Sequence, residues 1–305
     1  MFYTVLSAIT TLLIIILLGF IITKLNIINR DTQKVLSDLL LKVTLPATLI
    51  LSLQIDFDIQ ILTNCIIAIV VGFIVHCTSM TLAYILLNLL KIPANKINEL
   101  AFGITFCNLT FVGFPVISSV LGDEALIYGA MLVIAYNVLS LTIGIKMMSG
   151  EKSKFKARDI LNNPVLATIL AIFLFAFSMK IPPLIFVPME MVSNLTTPLA
   201  LIITGSIIAN YKVDISFFNK DILIMSFIRL LLIPTLIFIA LIPFPIDSFL
   251  KDTLVLTFSM PSGLYISIIA TKVGGNDALA SKIVVTSTLL SIITIPIISF
   301  IFIRQ

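Results

Sequence analysis

Residues Ile104–Gly122 read ITFCNLTFVGFPVISSVLG. The stretch is apolar enough to lie in a bilayer, yet Asn108, Gly113 and Pro115 stand near its middle. Pro115 has no N–H and its ring crowds the carbonyl four residues back, so the Phe111 C=O loses its helical partner. In hydrocarbon a freed carbonyl costs several kcal/mol unless it faces protein or a water-filled cavity. A spanning helix interrupted at this depth is either a kink repaired by its neighbours or half of a transporter's substrate site. The second half of the chain repeats the device. Pro46 in TLPATLI precedes Pro115 in VGFPVIS, and Pro198 in TTPLALI precedes Pro261 in FSMPSGL, at similar intervals. Interrupted apolar segments at corresponding places in two halves point to a central binding site.

Composition sets the environment. With 59% hydrophobic and 11% charged residues and a mean hydropathy of +1.20, the chain is far from soluble domains, which are about 25% charged. Apolar runs of about 20 residues recur along the whole length and mark an all-α multi-pass membrane protein. The runs are continuous and lack the alternation of a β-barrel. The first, from Tyr3 to Lys24, is too long and wrongly flanked for a secretory signal and reads as an uncleaved first helix. Cys65, Cys77 and Cys107 lie in apolar runs without CxxC spacing, as buried free thiols do. The sequence contains no nucleotide-binding loop, metal cluster or catalytic triad. A non-enzymatic protein without cofactor, metal or nucleic-acid partner is expected.

Spans are predicted near 3–23, 33–53, 61–89, 98–121, 124–148, 160–180, 184–210, 219–242, 247–272 and 276–303. These make ten transmembrane helices in two groups of five. Residues 1–148 form the first repeat, 149–161 a cytoplasmic linker and 162–305 the second repeat. An odd number of spans per repeat forces an inverted topology. Most basic residues, among them Lys24, Arg30, Lys34, Lys91, Lys96 and the cluster Lys146–Arg158, lie in alternate connections. The opposite connections have only Lys180, Lys251 and Arg304. By the positive-inside rule both termini are non-cytoplasmic, in the cell membrane.

Proline favours the first position of a helix, so the second arm of each broken span is expected to begin near Pro115 and Pro261. If helices four and nine cross at these breaks, two helix N-termini meet, each equivalent to about half a positive charge. Such a site prefers an anion, commonly a carboxylate. Asn108 is expected two turns before Pro115 on the same helix face, with its amide directed at the anion or bonded to a neighbouring helix. Thr110 lies in the same segment. Ser259, Ser262 and Gly263 flank Pro261 and either line the cavity or restore backbone hydrogen bonds.

Ionisable groups inside spans are functional candidates, because each costs roughly 2.5–3.5 kcal/mol at a helix centre. Arg229 either attracts the anion or pairs with a carbonyl freed by Pro234. Asp38 and Lys42, four apart, share a helix face and form either a snorkelling pair or a coupling site. His76, the only histidine, is a proton relay or a buried neutral imidazole. Asn137 in the fifth span is a further cavity candidate.

The string NLTFVGFPVISSVLGDEAL, with LPATLI before it and AYN and LNNPVLATIL after it, resembles the auxin efflux carrier family. TTPLALIITGSIIA, IRLLLIP, SMPSG and STLLSIITIPII are similar to the matching elements of that family's second half. The resemblance covers nearly the whole chain. It implies the fold of the sodium/bile-acid symporters, in which helices four and nine cross at proline-containing breaks. It also implies a scaffold of helices one, two, six and seven, often dimeric, beside a mobile crossover bundle of helices three to five and eight to ten. Family members carry organic anions, from indole-3-acetate to dicarboxylates such as malate and malonate. The family's substrate-contacting asparagine corresponds to Asn108, and its Asn-Pro pair opening the sixth span to Asn163-Pro164. The long central hydrophilic loop of the plant carriers is absent. The expected partners are a small organic anion, the lipid bilayer, protons or Na⁺ as coupling ions, and a second copy of the chain. Without an acidic cluster for a sodium cage, proton coupling or uniport is favoured over sodium.

Overall fold

The computed structural model describes residues 2–149, 160–211 and 213–303. The expected basic linker therefore falls almost wholly outside the described residues. The described residues are helical, with no strands and a single isolated backbone bridge. In chain order the rods are α1 (Phe2–Lys24), α2 (Arg30–Ser52), α3 (Ile59–Leu89), α4 (Ala94–Thr105), α5 (Leu109–Leu121) and α6 (Asp123–Ser149). They continue with α7 (Asn163–Ala176), α8 (Pro183–Ala209), α9 (Lys220–Leu241), α10 (Ser248–Phe258), α11 (Tyr265–Val273) and α12 (Asp277–Phe302). Seven of them (α1, α2, α3, α6, α8, α9 and α12) are long and apolar enough to cross a membrane, and α5 and α7 are shorter apolar helices.

The surface shows the same environment. Ile14, Leu17, Leu18 and Ile21 on α1, Ile66, Val70 and Ile74 on α3, and Ile293, Phe300 and Ile301 on α12 are all exposed. In water such a belt would be strongly unfavourable, whereas lipid tails are as apolar as leucine. The protein is membrane-embedded.

Short polar caps start the rods. Asn29, Asp58, Asn162, Asn219, Asp247 and Asn276 each accept a hydrogen bond from an amide in the first turn that follows. Such caps satisfy one of the amides that a helix start leaves without a partner.

Prolines do not break the helices where the ring chemistry alone predicts. Pro46, Pro115 and Pro234 each follow a five-residue π turn, at Leu40–Thr44, Leu109–Gly113 and Ile228–Leu232. The wider turn accommodates the missing N–H and the crowded carbonyl without parting the rod. The first interruption is instead at Phe106–Asn108, seven residues before Pro115. The expected start of the second arm at Pro115 is thus corrected to Leu109. Asn108 lies outside the helix, as its N-cap. Only the second interruption, 259–264, contains its proline, Pro261, and there the arm begins at Tyr265.

The two halves of the chain pack directly. A Cβ built on Gly205 would stand 1.9 Å from the Ile16 carbonyl oxygen, and one on Gly19 would stand 2.2 Å from that of Ile202. α1 and α8 therefore touch backbone to backbone, the close approach that small residues permit in membranes. Lys24 Nζ donates to the Ala209 carbonyl at the end of α8 at 2.8 Å. The Thr48 hydroxyl of α2 pairs with those of Ser193 and Thr196 on α8 at 2.9 and 2.8 Å. α2 also packs on α7, so α1, α2, α7 and α8 form one contiguous group. Gly205→Val is expected to lower the thermal stability of the purified protein by about 1–3 kcal/mol, the usual penalty of overpacking. A melting midpoint equal to wild type would exclude backbone contact between α1 and α8.

Candidate functional site

The two interruptions meet. Asn108 N–H donates to the Pro261 carbonyl at 2.7 Å, and Gly263 N–H donates to the Phe106 carbonyl at 2.8 Å. Between them Cys107 and Ser262 form the antiparallel bridge. Each unwound segment thus satisfies backbone groups of the other, which apolar surroundings demand. Gly263 is required by this approach, because a Cβ there would lie 2.8 Å from both the Cys107 carbonyl oxygen and Tyr136 Oη. Ser262 ties the crossing to its surroundings. Its amide donates to Ser287 Oγ on α12 at 3.1 Å, and its hydroxyl donates to the Gly103 carbonyl on α4 at 2.8 Å. Ser259 Oγ bonds back to the Leu256 carbonyl at 2.7 Å.

Four rod ends converge here with opposite polarity. Among the described residues, no acceptor pairs with the amides of Leu109 and Thr110 at the start of α5, or of Leu264 and Tyr265 at the start of α11. Asn108 Oδ1 accepts from Phe111 N–H at 3.1 Å, which leaves its Nδ2 as a further donor. Phe111 and Leu264, one from each arm, pack with Leu40 of α2 and with Ala200 and Ile203 of α8. The Phe111 carbonyl, the group that the sequence marks as freed by Pro115, is met by the Thr204 hydroxyl of α8 at 3.5 Å.

The C-terminal ends of α4 and α10 are covered by a different group. Arg229 is fully buried, and its Nε and Nη1 donate to the carbonyls of Met260 at 2.9 Å and Ile104 at 3.0 Å. Its guanidinium also contacts the Cys107 thiol. Nη2 is buried without a partner. Of the two roles open for Arg229, the geometry realises carbonyl pairing. The carbonyls belong to the crossing, not to the π turn before Pro234. Cations are stabilised at helix C-termini, and Arg229 serves two at once.

The remaining candidates separate. His76 is 2% exposed. Its ring centroid lies 5.5 Å from that of Phe106, 5.3 Å from Phe258 and 6.0 Å from Tyr136. Thr110 is half-buried in the π turn, and Pro115 is buried beyond it. Asn137 points elsewhere: its Nδ2 donates to the Val133 carbonyl at 2.9 Å, and its Oδ1 accepts from Asn162 at 2.6 Å. That partner is the N-cap of α7, whereas Asn163 itself is exposed at the first helical position. Asp38 and Lys42 pair at 3.0 Å with side chains 51% and 60% exposed, a surface ion pair worth at most a few tenths of a kcal/mol.

At the crossing Asn108 is 4% exposed and Ser259 and Ser262 are fully buried, whereas Thr110, Leu264 and Tyr265 are half-buried. A 540 Å³ cavity lies elsewhere, as an apolar groove between α3 and α9 lined by Val71, Ile74, Ile233 and Leu236 among others. It lacks the convergent polar groups of a binding site, so the crossing is the better candidate. Ser287, Thr204 and Gly103 were not legible as site residues. Ser and Thr are common in membrane helices, and nothing local distinguishes those that face a break. Gly263→Ala is expected to cost about 1–3 kcal/mol of stability. Adding Tyr136→Phe, which removes one of the two clashing atoms, should restore part of it in a double-mutant cycle. Full additivity would show that the two residues do not touch.

The sequence pattern of the membrane transport protein family matches residues 4–159 and 152–299. An uncharacterized transporter of Methanothermobacter thermautotrophicus is 22% identical over 296 residues, covering 95% of this chain and 96% of that one. Another, from Methanocaldococcus jannaschii, is 26% identical over 286 residues, covering 90% of this chain and 92% of that one. A match across both halves, on a membrane-embedded helical fold, means that the chain belongs to the membrane transport protein family, the auxin efflux carriers that its motifs resemble.

Proposed function

We propose that the protein is a secondary carrier of small organic anions, with carboxylates as the substrate class. The observation that carries this reading is the set of four unpaired amides at the starts of α5 and α11, with Asn108 Nδ2 beside them. Free N–H groups at helix N-termini form an anion site. Neither interruption, nor any side chain hydrogen-bonded to one, contributes a carboxylate that would compete.

Counting α4 with α5 and α10 with α11 as single passages gives ten, in two inverted groups of five. The basic connections then lie in the cytoplasm, with both termini outside the cell membrane. The group α1, α2, α7 and α8 serves as the scaffold, and the remaining rods form the bundle that carries the crossing. Substrate is carried when the bundle shifts against the scaffold at the Phe111–Leu264 contact. Access then alternates around a fixed site.

Asn108→Asp separates binding from folding. Aspartate keeps the cap on Phe111 but replaces a donor by a negative charge, and juxtaposed like charges cost several kcal/mol. The variant is expected to melt within about 1 kcal/mol of wild type. Its affinity for a transported carboxylate is expected to weaken at least about tenfold, read by thermal shift and by flux into proteoliposomes. Unchanged affinity would remove the crossing as the substrate site.

A further inference from the structure

His76 has a task that the packing of a core histidine leaves unexplained. Its Nδ1 lies 2.7 Å from the Gly72 carbonyl of its own helix. A carbonyl only accepts, so Nδ1 carries the hydrogen, and in a neutral ring Nε2 is then a bare lone pair. Nε2 is buried and has no partner, and the same is true of Arg229 Nη2. Buried polar atoms are almost always paired, and each exception calls for a reason.

The ring touches aromatic side chains at both interruptions, Phe106 in the first and Phe258 at the end of α10. It therefore sits against the crossing. The charged and titratable groups acting on this cluster are Arg229 from α9, Cys107 from the first interruption, Tyr136 from α6 and Tyr265 from α11. None of these four is a carboxylate. The charged side chain of the cluster is the Arg229 guanidinium, which the carbonyl ends of α4 and α10 offset in part. A proton on His76 would add a second positive charge to this cluster. An anion at the starts of α5 and α11 changes that balance, because one negative charge then offsets the second positive one.

We propose that His76 Nε2 is a proton-binding site linked to anion binding at the crossing, so that one proton travels with each anion. This rests on the anion-carrier reading above. The proton comes from the compartment that supplies the anion, forms an N–H bond at Nε2, and leaves with the anion on the far side. Arg229 keeps the empty site unprotonated, which prevents a proton leak in the return step. Opposite charges on either side of the crossing favour each other, and a linkage on the order of tenfold is expected.

As His76 is the only histidine, selective ¹⁵N-histidine labelling gives one imidazole signal in nanodiscs. Without ligand it should report Nδ1 protonated and Nε2 bare. Saturating acetate, malonate or indole-3-acetate, whichever is transported, should convert it to the doubly protonated ring. In proteoliposomes an inward proton gradient should speed uptake of that acid by about tenfold, and His76→Gln should abolish the acceleration. A ring that stays neutral while the acid is transported overturns the proposal and leaves the carrier reading standing. Absence of flux for all three acids overturns both. The spectrum of the unmutated protein decides the matter even if the variant fails to fold.

Discussion

Everything in this molecule depends on two stretches of unwound backbone, 106–108 and 261–263, solving each other's hydrogen-bonding problem inside the membrane. A lone interruption in hydrocarbon exposes amides and carbonyls at several kcal/mol each. Two interruptions laid antiparallel exchange the Asn108–Pro261 and Phe106–Gly263 bonds, and Ser262, Ser287 and Arg229 satisfy further groups around them. Neither half of the chain can adopt this arrangement alone. The pairing therefore joins the two halves of the chain.

The crossing also sorts charge. The C-terminal ends of α4 and α10 carry partial negative charge, which Arg229 neutralises from within the bundle. The N-terminal ends of α5 and α11 carry the opposite charge, and among the described residues no acceptor pairs with their first amides. A buried cation without a carboxylate partner is normally costly. Here two helix ends supply the compensation that an acidic residue would otherwise provide. The crossing thus holds a cation at one pair of helix ends and free amides at the other.

Much of the architecture was legible in the chain. Continuous apolar runs placed the rods. The paired motifs around Pro115 and Pro261 located the two segments that meet. The detail of the first break was not legible. Proline stereochemistry pointed to Pro115, but a π turn absorbed that ring and Asn108 became the cap of an arm starting at Leu109. The choice between kinking at a proline and breaking at an asparagine depends on whether the partner segment offers hydrogen bonds, and local sequence does not encode that.

Among the candidates, Asn108, Ser262, Gly263, Arg229 and His76 gather at the crossing or against it, whereas Asn137, Asn163, Asp38 and Lys42 lie apart from it. Periodicity could state which residues share a face of one helix, as with the Asp38–Lys42 pair, because that geometry is local. It could not state that Arg229 bridges carbonyls from two distant segments, or that Asn162 and not its neighbour reaches Asn137. Hydropathy and turn chemistry act over one helical turn and so can be read from the chain. Satisfaction of buried polar atoms is a condition on the whole packed bundle, and only the tertiary structure decided it.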